Sequence, residues 1–189
     1  MSTHDDLRDI ALNEFAAAGY GATSLQRIAE IAGLSKSSVL YHFASKEALL
    51  EAAIAPAIDR MDQILDLIEG EPLVGAARRA FIEQFVDFLL QYRLEVHMFI
   101  NQGPSLEDVP VVDRANALVL RLGTFFSSSV ATVEDQLRFG IALGGAAYVL
   151  SAPHDKAVPE PPVDEVRAAL VSIVSELLAP VSLRTTAIS

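Results

Sequence analysis

The sequence predicts an all-α protein on three grounds. Hydrophobic residues make up 51% of the 189-residue chain, Ala and Leu dominate, and Trp is absent, a mixture that favours packed helices over sheets. Apolar residues recur at three- and four-residue spacing, the period of a helix with one buried face. Cap residues, Gly and Pro fall at the ends of those periodic segments. The length suits one large domain or two small ones and suffices to bury a core. The absence of cysteine excludes disulfides, thiolate zinc sites and cysteine nucleophiles. The acidic start "MSTHDDLRDIALNEF" does not read as a signal peptide. The longest apolar run, "FGIALGGAAYVLSAP", falls short of the roughly 20 residues needed to cross a bilayer, so a soluble, cytoplasmic protein is expected.

Taken in order, Leu7, Ile10, Ala11, Phe15 and Ala18 lie at helical spacing over residues 5 to 18, with Gly19 placed to cap the C-terminus. "TSLQRIAEIAG" opens a short second helix, with Thr23 and Gln26 in the spacing of a capping box and Gly33 after its end. Ser35 can cap a third helix whose Val39 and Phe43 face the same way, and Ser45 a fourth beginning at Lys46. Two short helices joined by Gly33-Leu34-Ser35 fit the turn of a helix-turn-helix. The fourth helix should run to Glu69 with a kink at Pro56, which lacks a donor and crowds the preceding turn. Another begins near Pro72 and carries Phe81, Phe85 and Phe88 with Leu89 and Tyr92. A short one stops before Gly103-Pro104, and a further one covers residues 111 to 129. Thr132 can cap a segment to Leu150. After the proline-rich "APHDKAVPEPP", Asp164 to Leu178 closes the ordered part, with loose residues beyond.

The net charge of −11 sits awkwardly with the stretch "SKSSVLYHFASK". Residues 1 to 50 carry four Lys and Arg against six Asp and Glu, the remainder ten against nineteen, so the N-terminal part is merely the less acidic. If Val39 and Phe43 point into a small core, Lys36, Ser37, Leu40 and Tyr41 share the outer face of the third helix. Small hydroxyls and one lysine let such a face approach base edges in a major groove. Lys46, opening the next helix, is placed to grip a phosphate.

The stretch "TSLQRIAEIAGLSKSSVLYHFASKEALL" resembles the DNA-binding region of TetR-family transcriptional regulators. Thr23, Ile28-Ala29, Ala32-Gly33-Leu34-Ser35, His42-Phe43 and Ser45-Lys46-Glu47 match that pattern position by position. Three features depart from it: Leu40 stands where the family has a tyrosine, with Tyr41 at the following variable position. Ser37 replaces a residue that is often glycine, and the basic leader of many members is absent. The resemblance implies a three-helix DNA-binding domain over residues 1 to 50 and a larger helical domain over 51 to 189, about nine helices in all. The larger domain would bind a small molecule and form a homodimer through the last two helices, where Gly140, Gly144 and Ala147 permit either close approach of a second copy or close packing within one subunit.

The candidate DNA contacts are Thr23, Ser35, Lys36, Ser37, Ser38, Tyr41, His42 and Lys46. Lys36, Ser37, Ser38 and Tyr41 would approach bases, and Thr23, His42 and Lys46 would hold phosphates. Phe85, Phe88, Tyr92, His97, Asn101, Arg121 and Phe125 are the candidate effector contacts, an apolar wall with polar handles, and Gln102 is an alternative handle. Arg79, Glu83 and Asp87 step by four along one helix and read as ion pairing rather than a metal site. Ser127 to Ser129 lack a nucleophile elbow, and no catalytic constellation or cofactor motif is found. The expected function is ligand-responsive regulation, as a repressor released from a pseudo-palindromic operator by an apolar or aromatic effector. The competing reading is a helical small-molecule carrier or protein-binding adaptor that keeps the helix-turn-helix without using it.

Overall fold

The computed structural model describes residues 2–70, 73–106, 109–130, 132–152 and 159–181. Its helices are α1 (Thr3–Ala18), α2 (Leu25–Ile31), α3 (Lys36–His42), α4 (Lys46–Gly70), α5 (Gly75–Gln91), α6 (Arg93–Gln102), α7 (Pro110–Ser129), α8 (Val133–Phe139), α9 (Gly145–Ser151) and α10 (Val163–Leu178). A 3-10 turn, Gly103–Leu106, follows α6, and a π-helical turn, Gly140–Gly144, joins α8 to α9 without a break. Counting that continuous rod once, nine helices stand among the described residues, and the all-α reading holds. None is long and apolar enough to cross a membrane. The residues beyond 181, expected to be loose, and the expected helix start near Pro72 lie outside the described residues.

Two compact units divide the chain, Met1–Asp59 with Leu94–Asn116, and Arg60–Arg93 with Ala117–Ser189. In the first, Ser2 caps α1 through a reciprocal capping box with Asp5, and Gly19 closes it at φ 90°, a conformation that strains any residue with a Cβ. Leu7, Ala11, Phe15, Ile28, Ala29 and Val39 are wholly buried where α1, α2 and α3 meet. Each large side chain among them contributes about 1.5–3 kcal/mol of transfer free energy. Gly33, at φ 67°, makes the turn between α2 and α3, and Ser35 caps α3 by accepting from Ser38 N–H.

The cap of α2 differs from the sequence reading. Ser24, not Thr23, is the N-cap and accepts from Arg27 N–H at 3.1 Å. Thr23 is only 3% exposed, and its Oγ1 lies 2.9 Å from Gly19 O and 3.2 Å from Glu14 O, tying α2 to the end of α1. The long α4 contains Pro56 within its run.

In the second unit, α5 packs against α9 and α10, and α10 also rests on α8 and the π turn. Phe81, Phe85, Phe88 and Tyr92 form a ladder along α5, with successive ring centroids 5.9, 6.5 and 5.3 Å apart. Phe126 reaches Phe81 at 5.9 Å and stacks on Phe139 at 3.9 Å. Arg78 closes the C-terminal end of α10, donating to Leu178 O and Val181 O at 2.9 Å each and to Leu73 O at 3.2 Å.

Candidate nucleic-acid interface and effector site

The second short helix of the turn has an inner and an outer side. Val39 and Phe43 close the core, while Lys36, Ser37, Leu40 and Tyr41 stand outside, Leu40 at 41% and Tyr41 at 87% of full exposure. An apolar side chain and a tyrosine left in water on one helix face lose burial energy that a partner surface can recover. Ser35 Oγ lies 3.0 Å from Ser37 Oγ and 2.8 Å from Ser38 Oγ, so the hydroxyls form one cluster at the start of α3. Thr3, Leu34, Ser37, Ser38, Tyr41 and His42 line a shallow, open concavity of about 500 Å³ beside this face.

The cations are distributed economically. Arg8 pairs with Asp5 at 3.8 Å and Arg27 with Glu14 at 3.3 Å. Among the described residues, Lys36 has no ion pair, and Lys46 Nζ sits 4.1 Å from the centroid of the Tyr20 ring. The ring holds the ammonium by cation–π attraction without neutralising it. Burial draws the Lys46 pKa below the ordinary lysine value, partly offset by Glu47. Tyr20 donates from its hydroxyl to Glu47 at 3.2 Å; burial, reinforced by that carboxylate, pushes its phenol up to about 12. Lys46 therefore starts α4 from a fixed platform. Ser45 caps that helix, accepting from Ala48 N–H at 3.1 Å.

Thr23 does not join this group. Its single hydroxyl proton is spent on buried carbonyls, so it supports the turn instead of reaching a phosphate. Tyr20 is a residue the sequence reading missed. Its hydrogen-bond partners Glu47 and Gln102 lie 27 and 82 residues away in sequence, and no local pattern marks it. Gln102 is another. Its side-chain oxygen accepts from Tyr20 N–H at 3.1 Å, and its amide donates to Phe15 O at 2.9 Å and Ala16 O at 3.3 Å. It caps α1, so it is no effector handle.

The candidate effector contacts separate into groups. Phe85 and Phe88 are buried and, with half-exposed Tyr92, make the α5 ladder; Phe125 abuts Phe126 at 5.1 Å in the same unit. His97 and Asn101 belong to the first unit, where Asn101 Nδ2 lies 3.1 Å from His97 Nδ1 and 3.0 Å from His97 O. Arg121 departs from the expectation. Its guanidinium is clamped by Asp62 at 2.6 Å, Asp66 at 2.7 Å and Glu69 at 2.6 and 2.8 Å, tying α7 to α4. Four of its five N–H donors are directed at protein carboxylates, which leaves it poorly placed to serve as a polar handle. No group of three metal-ligating side chains occurs among the described residues.

Comparison with known proteins decides what this face belongs to. The family profile for "Bacterial regulatory proteins, tetR family" matches residues 7–53. The Escherichia coli K12 HTH-type transcriptional regulator RutR is 47% identical over 159 residues, covering 78% of this chain and 74% of RutR. The chain belongs to the TetR family. It is a helix-turn-helix transcriptional regulator of that ligand-responsive kind, and the carrier or adaptor alternative is not favoured. A Mycolicibacterium smegmatis relative, the HTH-type transcriptional repressor KstR2, is 30% identical over 118 residues, 59% of this chain and 55% of the repressor. The fold matches the Mycobacterium tuberculosis ketosteroid transcriptional regulator KstR2 with a TM-score of 0.73 at 16% identity, over 96% of this chain and 95% of that one.

Proposed function

We propose that this TetR-family protein is a cytoplasmic repressor that binds a pseudo-palindromic operator as a homodimer and leaves it when a small apolar or aromatic effector binds. Residues 1 to 50 contact DNA, and residues 51 to 189 hold the effector and the second subunit. The observation that carries the DNA reading is the outer face of α3, where Leu40 and Tyr41 stand exposed beside Lys36 and the serine cluster. In a major groove, Lys36, Ser37, Ser38 and Tyr41 meet base edges, Leu40 offers an apolar surface to a thymine methyl, and His42 and Lys46 take phosphates.

The homodimer reading rests on the second unit. Leu137, Ile141, Tyr148 and Val149 are all more than half exposed along α8 to α9, as are Val163 and Ile173 on α10. A Cβ added at Gly140 or Gly144 meets no atom within 4 Å. Close packing inside one subunit therefore does not require these glycines, which favours their use against a second copy.

The effector reading places an apolar ligand against the Phe85, Phe88, Tyr92 and Phe125 cluster. Asp59 ends the first unit and Arg60 begins the second, both within α4 and shortly after Pro56. That helix is the proposed transmission element. By linkage, an effector that weakens operator binding is itself bound more weakly by the operator complex, by the same factor. The test is release of a fluorescent operator duplex by a panel of apolar and planar compounds. Saturation by a bound compound that leaves operator affinity unchanged contradicts the switch.

A further inference from the structure

Beside the concavity at α3, next to His42, stands a second histidine that the helix-turn-helix pattern does not include. His4, in the first turn of α1, lays its ring on Phe43 with centroids 4.4 Å apart. Its other neighbour is His42, whose ring centroid is 6.4 Å away at an interplanar angle of 74°. His42 in turn meets Tyr41 edge-on at 5.4 Å. Thr3, beside His4, lines the same concavity as Tyr41, His42 and the α3 serines. Two imidazoles from different helices thus stand together at the edge of the recognition face. Among the described residues, the titratable or charged groups recorded against the pair are Asp5 on α1, itself near Arg8, and Tyr41 on α3.

We propose that His4 and His42 form a two-histidine phosphate clamp, so that operator binding takes up protons and tightens as pH falls. The inference rests on the DNA-contact reading of α3 given above. Histidine is the side chain whose charge ordinarily changes between pH 5 and 8. In a chain of net charge −11, with Arg8 and Arg27 already paired with carboxylates, one more cation at this face is a large fractional change in what meets the phosphates. A phosphodiester between the two rings accepts a hydrogen bond from each imidazolium, and its negative charge favours the protonated pair in the complex. Linkage then makes affinity rise with acidity.

The experiment measures affinity by fluorescence anisotropy on a duplex selected from a random pool by the wild-type protein, at pH 6 and pH 8 and several salt concentrations. Wild type should bind at least about tenfold more tightly at pH 6, the change for one net proton taken up over one pH unit. Its salt slope should steepen by roughly 1 for each added phosphate contact. His4→Gln should lose part of both effects, and the double variant with His42→Gln should be flat in pH. His154→Gln should keep the full dependence, which separates the clamp from a general effect of histidine charge. Circular dichroism confirms that each variant stays folded. Operator binding that is independent of pH, or a His4→Gln variant identical to wild type, overturns the clamp and leaves the DNA-contact reading standing. A failure to bind any selected duplex at either pH overturns both.

Discussion

Gln102→Leu tests the least expected contact in the first unit. Leucine keeps much of the side-chain volume but removes one acceptor and one amide donor group. Tyr20 N–H loses its bond of 3.1 Å, and Phe15 O and Ala16 O lose donors at 2.9 and 3.3 Å. Phe15 O keeps Gly19 N–H at 3.0 Å, so the cost falls mainly on Tyr20 N–H and Ala16 O. A neutral hydrogen bond contributes about 0.5–1.5 kcal/mol net, and a stranded partner costs more, so the variant should lose about 2–3 kcal/mol. The assay is urea unfolding, with a lower midpoint at unchanged m. Gln102→Glu adds a sign test. Its carboxylate would face carbonyls at the negative end of α1, so folding raises its pKa. A raised folded pKa means stability present at low pH and lost as pH rises through that value. This variant should therefore approach wild type at about pH 4.5 and fall behind at pH 7. A change below about 0.5 kcal/mol in Gln102→Leu, or the opposite pH trend in Gln102→Glu, refutes the capping role.

Three other expectations concern different parts of the molecule. Lys46→Ala should lower the salt slope of operator binding by roughly 1 per protomer with sequence preference kept, whereas Tyr41→Ala should change the preferred sequence; anisotropy on variant duplexes separates them. A Cβ added at Gly144 meets no atom within 4 Å in its own subunit, so Gly144→Leu should preserve or raise helicity while shifting sedimentation toward monomer, and an intact dimer would remove this face from the interface. Tyr20 should ionise last of the four tyrosines in a 295 nm titration, near pH 12. Its phenol is raised, so its contribution is present below the ordinary value of about 10 and lost as pH climbs through 12, and Tyr20→Phe should remove that late step.

The helix-turn-helix was legible because its constraints are local. Val39 and Phe43 are four residues apart, Gly33 sits at the turn, and Ser35 caps the helix it immediately precedes. Local pattern also found Thr132, which caps α8 by accepting from Asp135 N–H at 3.0 Å. It failed at Thr23 because adjacent Thr and Ser offer the same cap chemistry. The choice of Ser24 is made by carbonyls of Glu14 and Gly19, which occupy the Thr23 hydroxyl from the preceding helix. Gln102 and Arg121 were misread for the same reason at longer range. Their partners lie 52 to 87 residues away in sequence, and nothing beside either residue signals an α1 carbonyl or an α4 carboxylate. His4 gave no signal either, since its neighbours are Phe43 and His42 on another helix.

In the proposed function, an acidic protein reads DNA through the outer face of α3. The most direct measurement is selection of duplexes from a random pool by the purified protein, followed by sequencing. The expected result is enrichment of a two-fold symmetric site whose half-site centres lie about 10 base pairs apart or a multiple of that, the spacing of successive major grooves on one side of the duplex. An unenriched pool, even at low salt, would contradict it: the net charge would then outweigh the few cations at the recognition face.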